Sequence, residues 1–155
     1  MAENAIKTQL TQMYVVNGPT VALEIGCVSN LTPGGSSRDQ IETTCLTDVE
    51  KTFENGLGNP GQDTFDIVFS PADTSHQLME TLLQSGAKSQ WYVGLSDGVA
   101  APTVVSSVIT APAARTGFVF TASVSDVSYA IPGNEVVRAT VTLQRSGARA
   151  WTYKA

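Results

Sequence analysis

The sequence predicts a mainly β protein, an antiparallel β-sandwich or partly open barrel flanked by one α-helix at about residues 71–85. Two stretches announce it. Residues 118–125 (FVFTASVS) set Phe118, Phe120, Ala122 and Val124 against Thr121, Ser123 and Ser125. Residues 136–144 (VVRATVTLQ) oppose Val137, Ala139, Val141 and Leu143 to Arg138, Thr140, Thr142 and Gln144. A third observation is that seven or eight such strand-like runs, separated by turn signals, fill the 155 residues, while only one segment has helical spacing. The polar faces carry hydroxyls where Lys and Glu would be usual. Only 15% of residues are charged, against about a quarter in ordinary domains, so these faces suit a repeated self-contact or the wall of a passage.

Taken in order, residues 1–18 read as a polar N-terminal arm with Tyr14, Val15 and Val16 as anchors, ended by the Asn17-Gly18-Pro19 turn. The main domain, residues 19–147, opens with a strand at 21–28. Pro33, Gly34 and Gly35 make 31–40 a loop, and 41–46 returns as a strand with Ile41, Thr43 and Cys45 on one side and Glu42 and Thr44 on the other. Residues 47–62 read as a long acidic, Gly-rich loop, a length that in a compact domain implies a task. Segment 63–70 alternates Phe65, Ile67 and Phe69 inward with Thr64 and Asp66 outward. It leads into the helix, with Ser70 as cap, Pro71 at the first position, Asp73 as a capping-box carboxylate and Gly86 as terminator. Leu78, Met79, Leu82 and Leu83 form the stripe that packs this helix on the sheet. Strands are expected at 90–95 and 102–112, with a turn at Asp97-Gly98 between them and a connection at 128–135. The C-terminal segment, 148–155, is a short strand or arm with Trp151 and Tyr153 on one face.

A net charge of −5 argues against the basic footprint of a nucleic-acid binder. The charge is split: residues 1–86 hold eleven acids and three bases, residues 87–155 three acids and six bases, so opposite halves of neighbouring copies can attract. The N-terminus does not resemble a secretory signal and no run of 18 apolar residues occurs, so cytoplasmic synthesis and no membrane partner are expected. Cys27 and Cys45 are expected as small core or subsurface residues.

No catalytic site stands out. His76 is expected on a solvated helix face, the pairs Asp63 with Asp66 and Glu50 with Glu54 in solvent, and no nucleophile elbow or phosphate loop follows a strand. Two Cys and one His lack metal-ligand spacing, so no metal and no cofactor are expected and an enzyme is disfavoured.

Two stretches resemble the major tail tube protein of long-tailed, non-contractile bacteriophages. They are VALEIGCVSNLTPGGSSRDQIETTCLTDVEKTFENGL and GFVFTASVSDVSYAIPGNEVVRATVTLQRSG, with the strand DTFDIVFS and the helix SPADTSHQLMETLLQSG between them in the family's order. The resemblance covers about residues 20–147, and the additional immunoglobulin-like C-terminal domain of some relatives is not seen. It implies strands pooled between copies into a hexameric ring, rings stacked into a virion tail tube assembled in the host cytoplasm, and passage of double-stranded DNA without sequence-specific binding. Tape-measure and tail terminator or tip proteins are the implied partners. On this reading Glu42, Thr44, Thr64, Asp66, Arg138, Thr140, Thr142 and Gln144 are lumen candidates, with Arg138 paired to Glu42 or Asp66. Asp48, Glu50, Lys51, Phe53, Glu54, Leu57, Tyr14 and Trp151 are candidates for contacts between rings, made by segments that order only on stacking. Two alternatives stay open: a tube subunit of an F-type bacteriocin or type VI secretion machine, and a carbohydrate-binding sandwich using Trp91, Tyr92, Trp151 and Tyr153 as a stacking platform.

Overall fold

A computed structural model describes residues 5–155; the first four residues of the expected N-terminal arm lie outside that range. The strands are β1 (Gln12–Val16), β2 (Ala22–Glu24), β3 (Val28–Thr32), β4 (Ser36–Glu42), β5 (Phe53–Pro60) and β6 (Gln62–Val68). After helix α1 (Thr74–Ser85) follow β7 (Lys88–Gly94), β8 (Thr103–Val105), β9 (Val108–Thr110), β10 (Gly117–Ala130), β11 (Arg138–Arg145) and β12 (Ala150–Thr152). The main sheet is antiparallel and runs β2-β1-β7-β10-β11-β6-β3, with β12 on β10. Its two end strands, β2 and β3, are separated in sequence only by Ile25, Gly26 and Cys27, which span at most about 14 Å. The sheet must therefore roll until its ends nearly meet, and because β2 and β3 do not pair it remains a partly open barrel, as predicted.

Alternation drives the roll. Phe65 and Ile67 of β6, Trp91 and Val93 of β7, Phe118, Phe120, Ala122 and Val124 of β10, and Ala139, Val141 and Leu143 of β11 are buried together inside it. Met79 and Leu82 of α1 plug the same core, with Leu78 and Leu83 at its margin. The Trp91 indole N–H donates to the Ala122 carbonyl (3.1 Å), so the largest core side chain leaves no polar atom unpaired.

The helix begins later than predicted. Asp73, not Ser70, is its N-cap: Asp73 Oδ1 accepts from the Ser75 N–H (2.9 Å) and hydroxyl (2.6 Å). Ser70 is instead bound up in the preceding turn, its carbonyl accepting from Asp73 and its N–H donating to His76 Nδ1 (3.0 Å). That makes Nδ1 an acceptor, so His76 Nε2 carries the proton and donates to the Gly26 carbonyl (2.8 Å). His76 is consequently buried, stacked on Phe69 and pinned to the β2–β3 seam, in place of the solvated position expected for it. A Cβ at Gly26 would strike the carboxylate of the N-cap Asp73, which is why the seam carries glycine there. Gly86 ends the helix in the left-handed region (φ 68°), as expected.

Six further expectations are corrected. Gln12–Val16, read as arm, is strand β1, with Tyr14 buried. The single strand at 21–28 is two, broken at the seam, and 102–112 is the β8–β9 hairpin, turned by Ser106 and Ser107 at positive φ (52° and 65°). The loop at 31–40 holds the end of β3 and the first five residues of β4, and the loop at 47–62 contains β5. Cys27 and Cys45 are exposed free thiols, not core residues.

The Ser75 hydroxyl, followed by its N–H, holds the Asp73 carboxyl below its ordinary value of 3.8. Since the folded state then binds this proton more weakly than the unfolded chain, the cap's contribution is complete well above that value and is lost as pH falls through the folded one. Asp73→Ala is expected to lower stability by about 1 kcal/mol at pH 7 in urea unfolding, the gap to the unsubstituted protein closing below pH 4.

Candidate functional site

Rolling the sheet inward leaves its other face outward, and that face is divided. Over β1 and β7 it is apolar: Tyr14 and Tyr92 pack with Val104 and Ile109 of the β8–β9 hairpin, which is held down by the Ile109 N–H bond to Gln90 Oε1 (2.7 Å). Val119 at the start of β10 joins this cluster; over the rest of β10, β11, β6 and β3 no element covers the face among the described residues, and the register lines up polar rows across the strands. Ser128, Thr140, Asp66 and Ser29 form one row, and Asp126, Thr142, Thr64 and Thr32 the next. Ser123, Gln144 and Gln62 make a third, extended by Lys88. An irregularity between Val124 and Asp126 on β10 keeps Val127 on the core side and Asp126 and Ser128 on the polar one. Six of the eight lumen candidates thus lie on β6 and β11, which pair side by side.

Asp66 is fixed within this face, accepting from Thr140 Oγ1 (2.7 Å) and Asn30 Nδ2 (3.2 Å). Arg138 stands at the far end of β11 and, among the described residues, pairs with neither carboxylate expected for it, since Glu42 meets Lys51 (3.8 Å) instead. Glu42 and Thr44 belong to a separate structure. Strands β4 and β5 form a two-stranded arm outside the main sheet, and Glu42 lies roughly 20 Å along it from Ser36.

The arm is built from its own local bonds. Its end is tied by Thr43 to Thr52, by the Thr52 N–H bond to Thr44 Oγ1 (3.0 Å) and by the Cys45 N–H bond to Asp48 Oδ2 (2.7 Å). The rest of the chain covers none of its large apolar side chains: Leu46 and Val49 are fully exposed, Leu57 is 82% exposed, and Ile41 and Phe53 are more than half exposed. An apolar strip of this kind on a monomer marks an interaction surface. Asp48, Glu50, Lys51, Phe53, Glu54 and Leu57 are all on this arm and accessible. Of the other two contact candidates, Tyr14 is enclosed under the β8–β9 hairpin, whereas Trp151 is partly exposed, stacked on Tyr153 (6.0 Å) and tilted against Phe118 (4.8 Å). Trp91 and Tyr92 are wholly buried, so the four-residue stacking platform of the carbohydrate-binding alternative does not exist.

Two buried arginines escaped the sequence reading. Arg115 satisfies all five of its N–H groups on Gln12 Oε1 and the carbonyls of Leu10, Gly94, Leu95 and Ala100, at 2.7–3.2 Å, tying the N-terminal segment to the loop after β7. Arg145 lies at the root of the arm beside Asp63 (Nε to Oδ1, 3.3 Å), with Arg149 near the same oxygen (3.8 Å). Burial, then the neighbouring Arg145 cation, pushes the Arg149 guanidinium below its ordinary pKa, and Asp63 opposes both. Asp63 is 1% exposed, far from the solvated carboxylate expected. The signal was present: Asp63 is in phase with Phe65 and Ile67, and Arg145 with Val141 and Leu143, so strict alternation places both on the core side.

A family model for phage tail tube proteins of the lambda-like type matches residues 4–155. Structural protein 3 of Pseudomonas phage PAJU2 is 35% identical over 150 residues, covering 93% of this chain and 92% of that protein. The SPP1 tail tube, solved by solid-state NMR and cryo-EM, aligns over 97% of this chain and 80% of its own at a TM-score of 0.68 and 11% identity. A chain from the tail of an empty GTA particle, obtained by helical refinement with C6 symmetry, aligns over 96% of this chain and 100% of its own at 0.68 and 12%. At such identities the likeness to these solved structures is one of fold.

Both Cys27 and Cys45 are expected to react with a thiol reagent such as DTNB in the native protein, two equivalents per chain without denaturant; fewer than two would contradict the placement of the seam or of the arm.

Proposed function

This chain belongs to the lambda-like phage tail tube family and is a structural component of the virion tail, and from that premise we propose how its two surfaces divide the work. Six copies form a ring with the polar face of β3, β6, β11 and β10 turned to the axis, and the arm reaches from each ring to the next. The observation that carries this reading is the division of the outward sheet face, apolar and covered over β1, β7 and the start of β10, polar and uncovered over the rest of β10 and over β11, β6 and β3. Four strands from each of six copies, spaced about 4.8 Å apart, make a closed wall about 115 Å around at the backbone.

The chemistry of that wall suits a passage for double-stranded DNA. Binding to a duplex is driven by cations that displace its condensed counterions. The facing rows offer Ser, Thr, Gln and the carboxylates Asp66 and Asp126, and their two cations stand apart, Arg138 alone at the first position of β11 and Lys88 at the margin donating to Ser146 Oγ (3.2 Å). A phosphate backbone moving along such a wall meets no series of strong sites. Glu42 and Thr44, on the arm, act between rings on this reading and not at the axis. Assembly in the host cytoplasm around a tape-measure protein, closed by terminator and tip proteins, completes the proposal.

Two experiments bear on it. Replacing Thr140 and Thr142 together by Lys is expected to leave the subunit folded and able to form tubes that retain double-stranded DNA at low salt and release it as salt rises. Tubes of the unsubstituted protein should not retain it, and identical behaviour of the two would reject the polar face as the lumen. Excising residues 36–60 and joining the ends by two glycines is expected to give a folded subunit that forms no tubes in negative-stain micrographs.

A further inference from the structure

The arm meets the barrel at a joint made of glycine. On one side the link is Pro33-Gly34-Gly35, on the other Gly61 alone. The last main-sheet pair is Thr32 with Thr64 and the first arm pair is Ser36 with Pro60, so no cross-strand pair spans the joint. Glycine links without a ladder are the softest connection a β-arm can have. This joint is nevertheless held from beneath. Asp63 Oδ1 accepts from the Gly34 N–H (2.7 Å), and Arg145 Nη2 donates to the carbonyls of Gly34 (3.0 Å) and Gly35 (2.7 Å). Arg149 donates to the Gly34 carbonyl as well, and the Arg145 N–H reaches the Gly61 carbonyl (3.3 Å). The two links are packed so closely that a Cβ on Gly34 would collide with the Gln62 carbonyl and one on Gly61 with the Gly35 carbonyl.

Charges buried in this way are a poor source of net stability, because their desolvation offsets most of their attraction. Their better-attested use is to select one arrangement over others. We infer that Asp63, Arg145 and Arg149 are positioning residues, which grip the glycine joint and fix the angle at which the β4–β5 arm leaves the barrel, aiming its apolar strip at a second copy of this chain. The aim at a second copy rests on the role proposed above for the arm; the fixed angle does not.

The protein supplies its own reporters, since Cys27 sits on the barrel seam and Cys45 toward the end of the arm, both free and exposed. With nitroxide labels on these two thiols, double electron–electron resonance on the full-length subunit should give one narrow distance peak. Arg145→Met and Arg149→Gln should each widen it, Arg145→Met at least twofold, with the thermal transition of Arg149→Gln little changed. Should Arg145→Met fail to fold because it strands the Asp63 charge, the paired change Asp63→Asn with Arg145→Met removes both charges and is expected to give the same broadening. A broad distribution in the unsubstituted protein, or an unchanged width in a folded Arg145→Met, overturns the inference. Electron microscopy of the same samples separates the two ideas: broadening with normal tubes would reject the arm as the contact between rings and leave the positioning role standing.

Discussion

Period-two alternation in β6, β10 and β11 is the constraint from which the rest of this molecule follows. Adjacent strands in register must agree on which side is apolar, and Phe65, Ile67, Phe120, Ala122, Ala139, Val141 and Leu143 do agree. That agreement builds a closed core with one helix as its plug, and in the same step it turns Thr64, Asp66, Thr140, Thr142 and Gln144 outward as a continuous polar surface. Core and polar face are two sides of the same peptide units. A one-residue slip of β11 against β6 would exchange them, losing the fold and the surface together.

Around this sheet the polar side chains that are buried serve as pins. His76 fastens the helix to the seam between β2 and β3, Arg115 fastens the N-terminal segment to the loop after β7, and Arg145 with Asp63 fastens the arm. Each acts largely on backbone carbonyls that have no ladder partner, and each sits where the chain leaves regular structure. Unpaired buried carbonyls are costly. A guanidinium answers several at once, which is why arginine, with its planar array of donors, holds two of the three positions.

Legibility in the sequence tracked the range of the interactions involved. The strands at 63–68, 118–125 and 138–144 declare themselves by alternation, and the helix by its stripe and its terminal glycine, because these signals are local. Strand β1 was read as an arm because its place depends on β7, some eighty residues away. Strand β5, with the sequence FENGLGNP, has almost no intrinsic β character and exists through its pairing with β4. The β8–β9 turn was missed since Ser106 and Ser107 adopt left-handed backbone without glycine to advertise it. The burial of His76 depends on Gly26, fifty residues earlier. Asp63 and Arg145 are a different kind of miss: the local pattern placed them correctly, and only the habit of putting charge in water argued otherwise.

The bare apolar strip of the arm has a consequence for how the protein is made and kept. Leu46, Val49, Phe53 and Leu57 project into solvent in every free subunit, so the monomer carries its own solubility ceiling, and synthesis raises its concentration toward that ceiling. If the arm is the contact proposed above, polymerisation would be timed by supply and by nucleation: a template presenting the first complementary surface would decide where growth starts, while folded, adhesive subunits wait below their critical concentration.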